Sequence, residues 1–241
     1  MSGWILGFDT ATRATAVALA DGRGAVLEAR DDPPRGARPR HVTRLLPLCA
    51  ELLDRAGLRF EQLDRLAVGV GPGTFTGLRI GVATARALAR AGDLPLLGVS
   101  TLEALALGAL EAARAQGRSI AAVLDARRGE AFAAAWASEA GEPLAGPLIA
   151  PAAFAPEDLA TALGALEPPV LAVGEGAIAF RQVLERSGAF VPEDEAELHR
   201  VSAAAHCRIA RRLSPTDPDQ VIPHYLRLPD AEIARRQAGG A

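Results

Sequence analysis

The chain has 241 residues, of which 49% are hydrophobic and 23% are charged, and its net charge is -3. This composition is typical of globular proteins and excludes a strongly basic protein that nucleic acid or a membrane would attract through its overall charge. The first residues lack the regions of a signal peptide, and no stretch is apolar over the roughly 18 residues of a membrane span. We therefore expect a cytoplasmic protein without membrane contact.

The composition also limits the chemistry. All 26 residues counted as lysine or arginine are arginines, which excludes Schiff-base catalysis, Ser-Lys dyads and the lysine of a Walker loop, because each needs an amine. The two cysteines, Cys49 and Cys207, lie among apolar residues and are expected to be buried free thiols. We expect no metal site, because no two histidines have HxxxH or HExxH spacing. The histidines are His41, His199, His206 and His224.

The first half of the chain predicts the element order βββαβαβα. Short apolar or alternating runs predict strands, and apolar residues at helical spacing predict helices. The predicted strands cover residues 4–9, 15–21, 25–30, 66–70 and 95–99, and the predicted helices cover 42–56, 78–89 and 101–116. A polar, proline-rich loop separates the third strand from the first helix.

The second half predicts the same order. The predicted strands cover residues 119–125, 130–137, 144–150 and 170–174, the predicted helices cover 157–164, 177–186 and 202–213, and a short apolar segment at 189–191 takes the place of the fifth strand. An aspartate ends the first strand of each half, Asp9 and Asp125, and a glycine turn follows the central strand each time. These echoes indicate a duplicated α/β fold.

The duplication suggests a division of the chain. We expect an N-terminal lobe of residues 1–117, a C-terminal lobe of residues 118–213 and a proline-punctuated tail of residues 214–241. The last residues of the tail are expected to be disordered, as chain ends commonly are.

A glycine-rich turn, GVGPGTFTG at residues 69–77, follows the central strand of the first half. It matches neither the Walker pattern, which needs a lysine, nor the dinucleotide pattern GxGxxG. A tight turn into a helix and an anion site at the helix N-terminus both remain open. Asp9 on the first hairpin either caps its own turn or holds a metal or water near phosphate. The candidate phosphate-site residues are Asp9, Thr10, Gly71, Gly73 and Thr74.

Several arginines surround His41 in the loop that enters the first long helix. They are Arg35, Arg38, Arg40 and Arg44. A solvated loop is one interpretation, and a contact with an RNA backbone or an acidic partner is the other. No aromatic residue alternates with the arginines, which disfavours base stacking.

Several segments together resemble one family in order and spacing. They are ILGFDTATRATAVAL, HVTRLLPLCAELL, AVGVGPGTFTGLRIGVATARALA, PLLGVSTLEALA, DARRGEAFAA and PHYLR. The chain is similar over roughly residues 4 to 228 to the bacterial TsaB family of tRNA threonylcarbamoyladenosine biosynthesis proteins, also called YeaZ. The resemblance implies a duplicated ribonuclease H-like, actin-like ATPase fold with two lobes of βββαβαβα order.

The resemblance also implies a function. TsaB proteins are regarded as non-catalytic partners of TsaD, a paralogue that transfers a threonylcarbamoyl group to adenosine 37 of tRNAs reading codons that begin with A. TsaE, an ATPase, joins the complex. We therefore expect an accessory subunit without catalytic residues or a cofactor of its own, with ATP bound only at the junction with TsaD and tRNA reached only through the complex.

One comparison with TsaD concerns single residues. Where TsaD carries a metal-binding HxxxH after its fifth strand, this chain reads GVSTLEAL, with Thr101 and Leu105 at the two histidine positions. Neither side chain can bind a metal as imidazole does. The substitution predicts a pseudo-enzyme.

The resemblance places the partner surface on the first two long helices. Small residues on the second helix would permit close helix approach to TsaD or to a second copy of the chain. The predicted interface residues are His41, Leu45, Leu46, Cys49, Gly77, Gly81, Ala85 and Ala89.

Two enzymatic alternatives are weighed beside this hypothesis. One is a small ATP-dependent phosphotransferase that uses Asp9 and the glycine-rich turn. The other is a metalloprotease, which the absence of a metal-ligand or general-base constellation in the sequence disfavours.

Overall fold

The structure, a computed structural model, describes residues 3–34, 36–139, 144 and 146–227. Arg35 and the chain end that was predicted to be disordered lie outside these residues. No helix in the described ranges is both long and apolar enough to cross a membrane.

Nine strands and seven α-helices are found in these ranges. The strands are β1 (Trp4–Asp9), β2 (Thr15–Ala20), β3 (Val26–Asp31), β4 (Leu63–Gly71), β5 (Leu96–Ser100), β6 (Ser119–Arg127), β7 (Glu130–Trp136), β8 (Ile149–Phe154) and β9 (Val170–Val173). The helices are α1 (His41–Ala56), α2 (Phe75–Gly92), α3 (Thr101–Ala115), α4 (Pro156–Gly164), α5 (Glu175–Ala179), α6 (Arg181–Arg186) and α7 (Ala203–Ala210).

The strands form two sheets of the same design. The N-terminal sheet has the order β3-β2-β1-β4-β5, and the C-terminal sheet has the order β8-β7-β6-β9. In each, three antiparallel strands are followed by a strand that pairs parallel with the first. The predicted duplicated α/β fold is confirmed.

The second half departs from the predicted order at its fifth strand. Only Phe190 pairs there, through its N–H to the carbonyl of Val170 at 2.8 Å and its carbonyl to the N–H of Ala172 at 2.9 Å. Pro192 follows two residues later and has no N–H for a ladder, so the pairing ends. The predicted strand is therefore a single bridge.

Two other predicted elements of this half also differ. β8 begins at Ile149 instead of residue 144, because a glycine and a proline at 146–147 precede it and weaken strand pairing. The predicted helix 177–186 is divided at Phe180 into α5 and α6. The division follows the packing, since α5 lies on β6 while α6 lies on α4.

Five layers stack in the order helix, sheet, helix, sheet, helix. α1 and α2 cover the outer face of the N-terminal sheet, and α4 to α6 cover the outer face of the C-terminal sheet. α3 and α7 lie between the sheets in one hydrophobic cluster with both inner faces. α7, although it comes last, packs on β1 and β2. The two halves therefore share a core.

Gly7 of β1 permits the close approach of α7. A Cβ atom at this position would lie 2.6 Å from Sγ of Cys207 and 3.2 Å from the carbonyl oxygen of Ala203. Only a residue without a side chain fits, because close-packed interiors leave no spare volume.

We predict that Gly7→Ala lowers the free energy of unfolding by about 1–3 kcal/mol, the usual effect of overpacking a core. Gly108→Ala in α3 is the matched control, since the nearest atom to its Cβ would be 3.8 Å away and alanine favours a helix. Denaturant titration followed by circular dichroism measures both. A Gly7→Ala variant as stable as the unsubstituted chain would contradict the packing described.

Candidate functional site

The carboxylate of Asp9 joins three elements at the end of β1. Only 1% of Asp9 is exposed. Its Oδ1 accepts the N–H of Ala11 at 2.7 Å, and its Oδ2 accepts the hydroxyl of Thr101 in α3 at 2.8 Å. Nε2 of His206 in α7 lies 3.0 Å from the same Oδ2, and the Nδ1 of this histidine lies 3.0 Å from the carbonyl of Ser202. Both carboxylate oxygens are thus engaged within the chain.

The surroundings of Asp9 favour its charged form. Burial raises the pKa of Asp9, but the contact with His206, the charge of that ring and the hydrogen bonds from Thr101 and Ala11 together hold the pKa below its ordinary value. Gly69 on β4 leaves the necessary space, because a Cβ atom there would overlap the carboxylate.

The first hairpin packs directly on the glycine-rich turn. The N–H of Thr74 donates to the carbonyl of Ala11 at 2.7 Å, and the hydroxyl of Thr10 donates to the carbonyl of Gly77 at 2.7 Å. A Cβ atom at Gly73 would overlap the carbonyl of Ala11. The hairpin backbone therefore lies against the beginning of α2.

The turn is held from a second side as well. Gly71 has φ 106°, a left-handed conformation that suits glycine, and a Cβ atom there would lie 3.0 Å from the carbonyl of His224. The five candidate phosphate-site residues thus lie in one region. A role in holding phosphate stays a prediction.

Thr101 and Leu105, the positions compared with the metal ligands of TsaD, are both fully buried. The hydroxyl of Thr101 donates to Asp9, and Leu105 belongs to the hydrophobic cluster between the sheets. Across the described ranges, no three residues among His, Cys, Asp and Glu are grouped so that they could hold a metal ion.

The arginine-rich loop is anchored within the chain. Arg40 donates from Nε to the buried carboxylate of Asp31 at 3.1 Å, and Nε of Arg44 lies 3.5 Å from the same group. Nδ1 of His41 lies 2.9 Å from the hydroxyl of Thr15. The loop thereby fixes the start of α1 on β2 and β3. Arg38 is exposed, and contact with RNA stays untested.

Seven of the eight predicted interface residues lie in the interior. The buried residues are His41, Leu45, Cys49, Gly77, Gly81, Ala85 and Ala89. Cβ atoms at Gly77 and Gly81 would overlap atoms of Thr10. The small-residue face of α2, which we predicted to meet a partner, packs instead on the chain's own hairpin and sheet, and only Leu46 is exposed.

The outer faces of the same helices carry exposed apolar residues, which we call the helical strip. Val42 is 76% exposed, Leu46 52% and Phe75 37%, and Pro47 and Ala83 are exposed as well. The first turns of the two helices lie at the same edge of the sheet, because His41 contacts the start of β2 and Thr74 contacts the hairpin before it.

An aromatic cluster ends the strip at the first turn of α2. The guanidinium carbon of Arg79 lies 3.9 Å from the ring centre of Phe75, and the ring of Tyr225 lies 5.3 Å from the same ring. Sequence reasoning missed both Arg79 and Tyr225. The phenylalanine inside a glycine-threonine turn, GTFTG, was the one signal for this cluster.

A cleft of about 240 Å³ lies between the two halves. Charged residues of both signs line it, including Arg13, Arg30 and Glu175. Burial raises the pKa of Glu175, and the nearby Arg127 opposes that effect. The guanidinium of Arg13 is engaged by the carbonyls of residues 34 and 37, at 2.8 Å each.

We predict that Asp9→Asn destabilises the chain by about 3 kcal/mol near pH 7, because it removes the buried carboxylate that accepts from Ala11 and Thr101 and lies 3.0 Å from Nε2 of His206. The folded-state pKa of Asp9 is lowered, so its stabilisation is present above the unfolded pKa of about 3.9 and is lost as the pH falls through the lower folded value. The difference between the two chains in free energy of unfolding should therefore shrink below about pH 4.

Asp125→Asn provides the control, since the carboxylate of Asp125, near the end of β6, accepts from the exposed Arg127. It should change the stability by less than about 1 kcal/mol. Equal stability of the Asp9→Asn variant and the unsubstituted chain at pH 7 would refute the described role of the buried pair.

The model of the family "TsaD: tRNA N6-adenosine threonylcarbamoyltransferase" matches residues 33–235. The chain is 41% identical over 129 residues to the tRNA threonylcarbamoyladenosine biosynthesis protein TsaB of Escherichia coli, covering 53% of this chain and 52% of that protein. It is 39% identical over 128 residues to the protein of the same name from Haemophilus influenzae, covering 53% and 51%. The chain thus spans about half the length of these curated relatives.

A solved structure agrees over a longer range. An uncharacterized protein with similarity to peptidase YEAZ, from Pseudomonas aeruginosa, superimposes with a TM-score of 0.76 at 30% identity and covers 93% of this chain and 100% of that one. The family model and this structure each match most of the chain, and the two halves repeat one sheet design. The chain therefore belongs to the TsaB (YeaZ) family.

Proposed function

We propose that this chain is a non-catalytic subunit that binds TsaD and supports it in forming N6-threonylcarbamoyladenosine at position 37 of tRNAs reading codons that begin with A. The observation that carries the proposal is the burial of Thr101 and Leu105. Both are fully buried at the positions where TsaD is expected to carry its metal-binding histidines.

The chemistry of these two residues supports a binding role. Leucine has no donor atom, and the hydroxyl of Thr101 is already donated to Asp9 at 2.8 Å. Imidazole nitrogens are the usual protein ligands of iron and zinc, and neither residue supplies one. We therefore assign the transfer step to TsaD and assign to this chain the surface that supports it.

The helical strip is the surface that we assign to TsaD. Contiguous exposed apolar side chains mark binding sites on soluble proteins, and aromatic and arginine residues dominate binding energies at interfaces. The strip offers both, with Val42 and Leu46 on α1 and with Phe75 under the guanidinium of Arg79 on α2. Two neighbouring helices with exposed apolar side chains suit a helix pair of TsaD, or the same pair in a second copy of this chain.

In this proposal, ATP binds only to the complex of this chain with TsaD. A helix N-terminus binds phosphate through free N–H groups, and the N–H of Thr74 is already bonded to Ala11. We propose that the chain alone holds no nucleotide, that ATP binds only where it meets TsaD, and that TsaE and tRNA join through the complex.

Reconstitution tests the function. With ATP, threonine, bicarbonate, tRNA, the upstream synthase, TsaD and TsaE present, we predict that modified tRNA forms only when this chain is added. An equal yield of modified tRNA without this chain would refute the proposal. Calorimetric titration of the chain alone with Mg-ATP serves as a control, because heat of binding there would favour the phosphotransferase alternative.

A charge in the helical strip should prevent association. We predict that Leu46→Arg weakens binding to TsaD at least tenfold, or about 1.4 kcal/mol, and leaves the melting temperature unchanged, because Leu46 is exposed. Leu148→Arg is the matched control at another exposed leucine. Gly81→Arg should instead unfold the chain, since Gly81 is buried against Thr10. Normal binding by Leu46→Arg, measured by interferometry, would show that TsaD docks elsewhere.

A further inference from the structure

Residues 214–227, which we call the C-terminal clasp, follow α7 and run back over the N-terminal half. Thr216 forms an antiparallel bridge with Leu96 at the open edge of β5. Val221 is buried among the residues between the N-terminal sheet and its outer helices, and its side chain faces Gly98 of β5. The middle of the clasp is thus inserted into the core.

Two arginines of α2 fasten the first part of the clasp. Nε of Arg86 donates to the carbonyl of Pro218 at 2.9 Å, and its second terminal nitrogen donates to the carbonyl of Asp219. Arg90 forms an ion pair with the carboxylate of Asp219. Both arginines lie in the second half of the helix, far from its first turn.

The second part of the clasp reaches the glycine-rich turn and the beginning of α2. The N–H of His224 donates to the carbonyl of Val70 at 2.7 Å. The ring of Tyr225 then lies 5.3 Å from that of Phe75, and Nε of Arg79 lies 3.4 Å from the hydroxyl of Tyr225. The clasp is therefore in contact with the end of the helical strip that carries its aromatic residue.

The last contact of the clasp crosses to the other half of the molecule. Arg227 donates to the carboxylate of Glu130 at the beginning of β7, at 2.6 Å. The clasp therefore runs from the edge of one sheet, over the turn that begins α2, to the other sheet. The ion pair between Arg90 and Asp219 is exposed and therefore weak by itself, so the contacts hold the segment only when they act together.

We propose that the clasp docks and releases as one unit and that, when docked, it fixes the first turn of α2 so that Phe75 is presented to TsaD. Arg86 and Phe75 are eleven positions apart in one helix, about 16 Å, yet both contact the same short segment. Loss of the clasp contact at Arg86 should therefore also loosen the clasp at Phe75. The inference rests on the proposed function, since it concerns the surface assigned to TsaD.

The sole tyrosine of the chain provides a specific probe, because Tyr225 is the single tyrosine among the 241 residues. Incorporation of 3-fluorotyrosine gives one fluorine NMR signal that reports the packing of this ring. Phe75→Ala supplies the reference signal for a ring that has lost its partner. The same labelled proteins are used to measure the dissociation constant for TsaD and the melting temperature.

Arg86→Leu is the test variant, because Arg86 contacts the clasp but lies far from Phe75. We expect the fluorine signal to move toward that of Phe75→Ala and the affinity for TsaD to fall about tenfold, the effect of losing a significant interface contact. Arg55→Leu is the control, since Arg55 is an exposed arginine on α1 whose ion partner is Glu51. Arg55→Leu should change neither the fluorine signal nor the affinity for TsaD.

Each outcome decides the proposal. An unmoved fluorine signal in Arg86→Leu would overturn release as a unit, and a moved signal with unchanged affinity would overturn the presentation of Phe75. Val221→Ala is a second variant with the same expectation, and loss of folding in both would overturn the proposal, because the chain would then not fold without the docked clasp. If the unsubstituted chain fails to bind TsaD, the proposed function fails, while the fluorine signal still decides the docking of the clasp.

Discussion

The buried carboxylate of Asp9 is the interaction on which the rest of the structure depends. A charge without solvent is tolerated only when it is paired and hydrogen-bonded, and its partners come from three elements: Ala11 on the hairpin, Thr101 on α3 and His206 on α7. Satisfying this one group requires α3 and α7 to lie together between the two sheets. The shared core is therefore fixed by a polar contact as well as by apolar packing.

The same arrangement determines which surfaces are available. With Asp9 turned inward, the hairpin packs on the glycine-rich turn, and Thr10 lies against the small residues of α2. The backbone of the hairpin thus lies against the turn that we considered as a phosphate site. The surface of α1 and α2 that remains accessible to other molecules is the helical strip, which is apolar and ends in an aromatic cluster. A surface of this kind favours binding over chemistry, in agreement with the proposed role.

The sequence predicted the first half well because its strands and helices have strong local signals. The prediction of a fifth strand in the second half was wrong, because Pro192 ends the pairing there. The helix division at Phe180 was also not predicted, because it depends on the different packing partners of α5 and α6. The small residues Gly77 and Gly81 correctly indicated close packing on one face of α2. Their pattern could not tell a partner from the chain's own hairpin, because both require the same absence of side chains.

Long-range contacts explain what sequence reasoning missed at the site. Asp9 was identified, but its pairing with His206 joins the two ends of the chain, and no local pattern encodes it. Tyr225 likewise meets Phe75 only because the clasp returns over α2.

The central claim is that this chain acts as the binding partner of TsaD. Sedimentation velocity of a mixture of the two purified proteins tests it most directly. The account predicts one faster-sedimenting species that contains both proteins, and two independent boundaries at micromolar concentrations would contradict it.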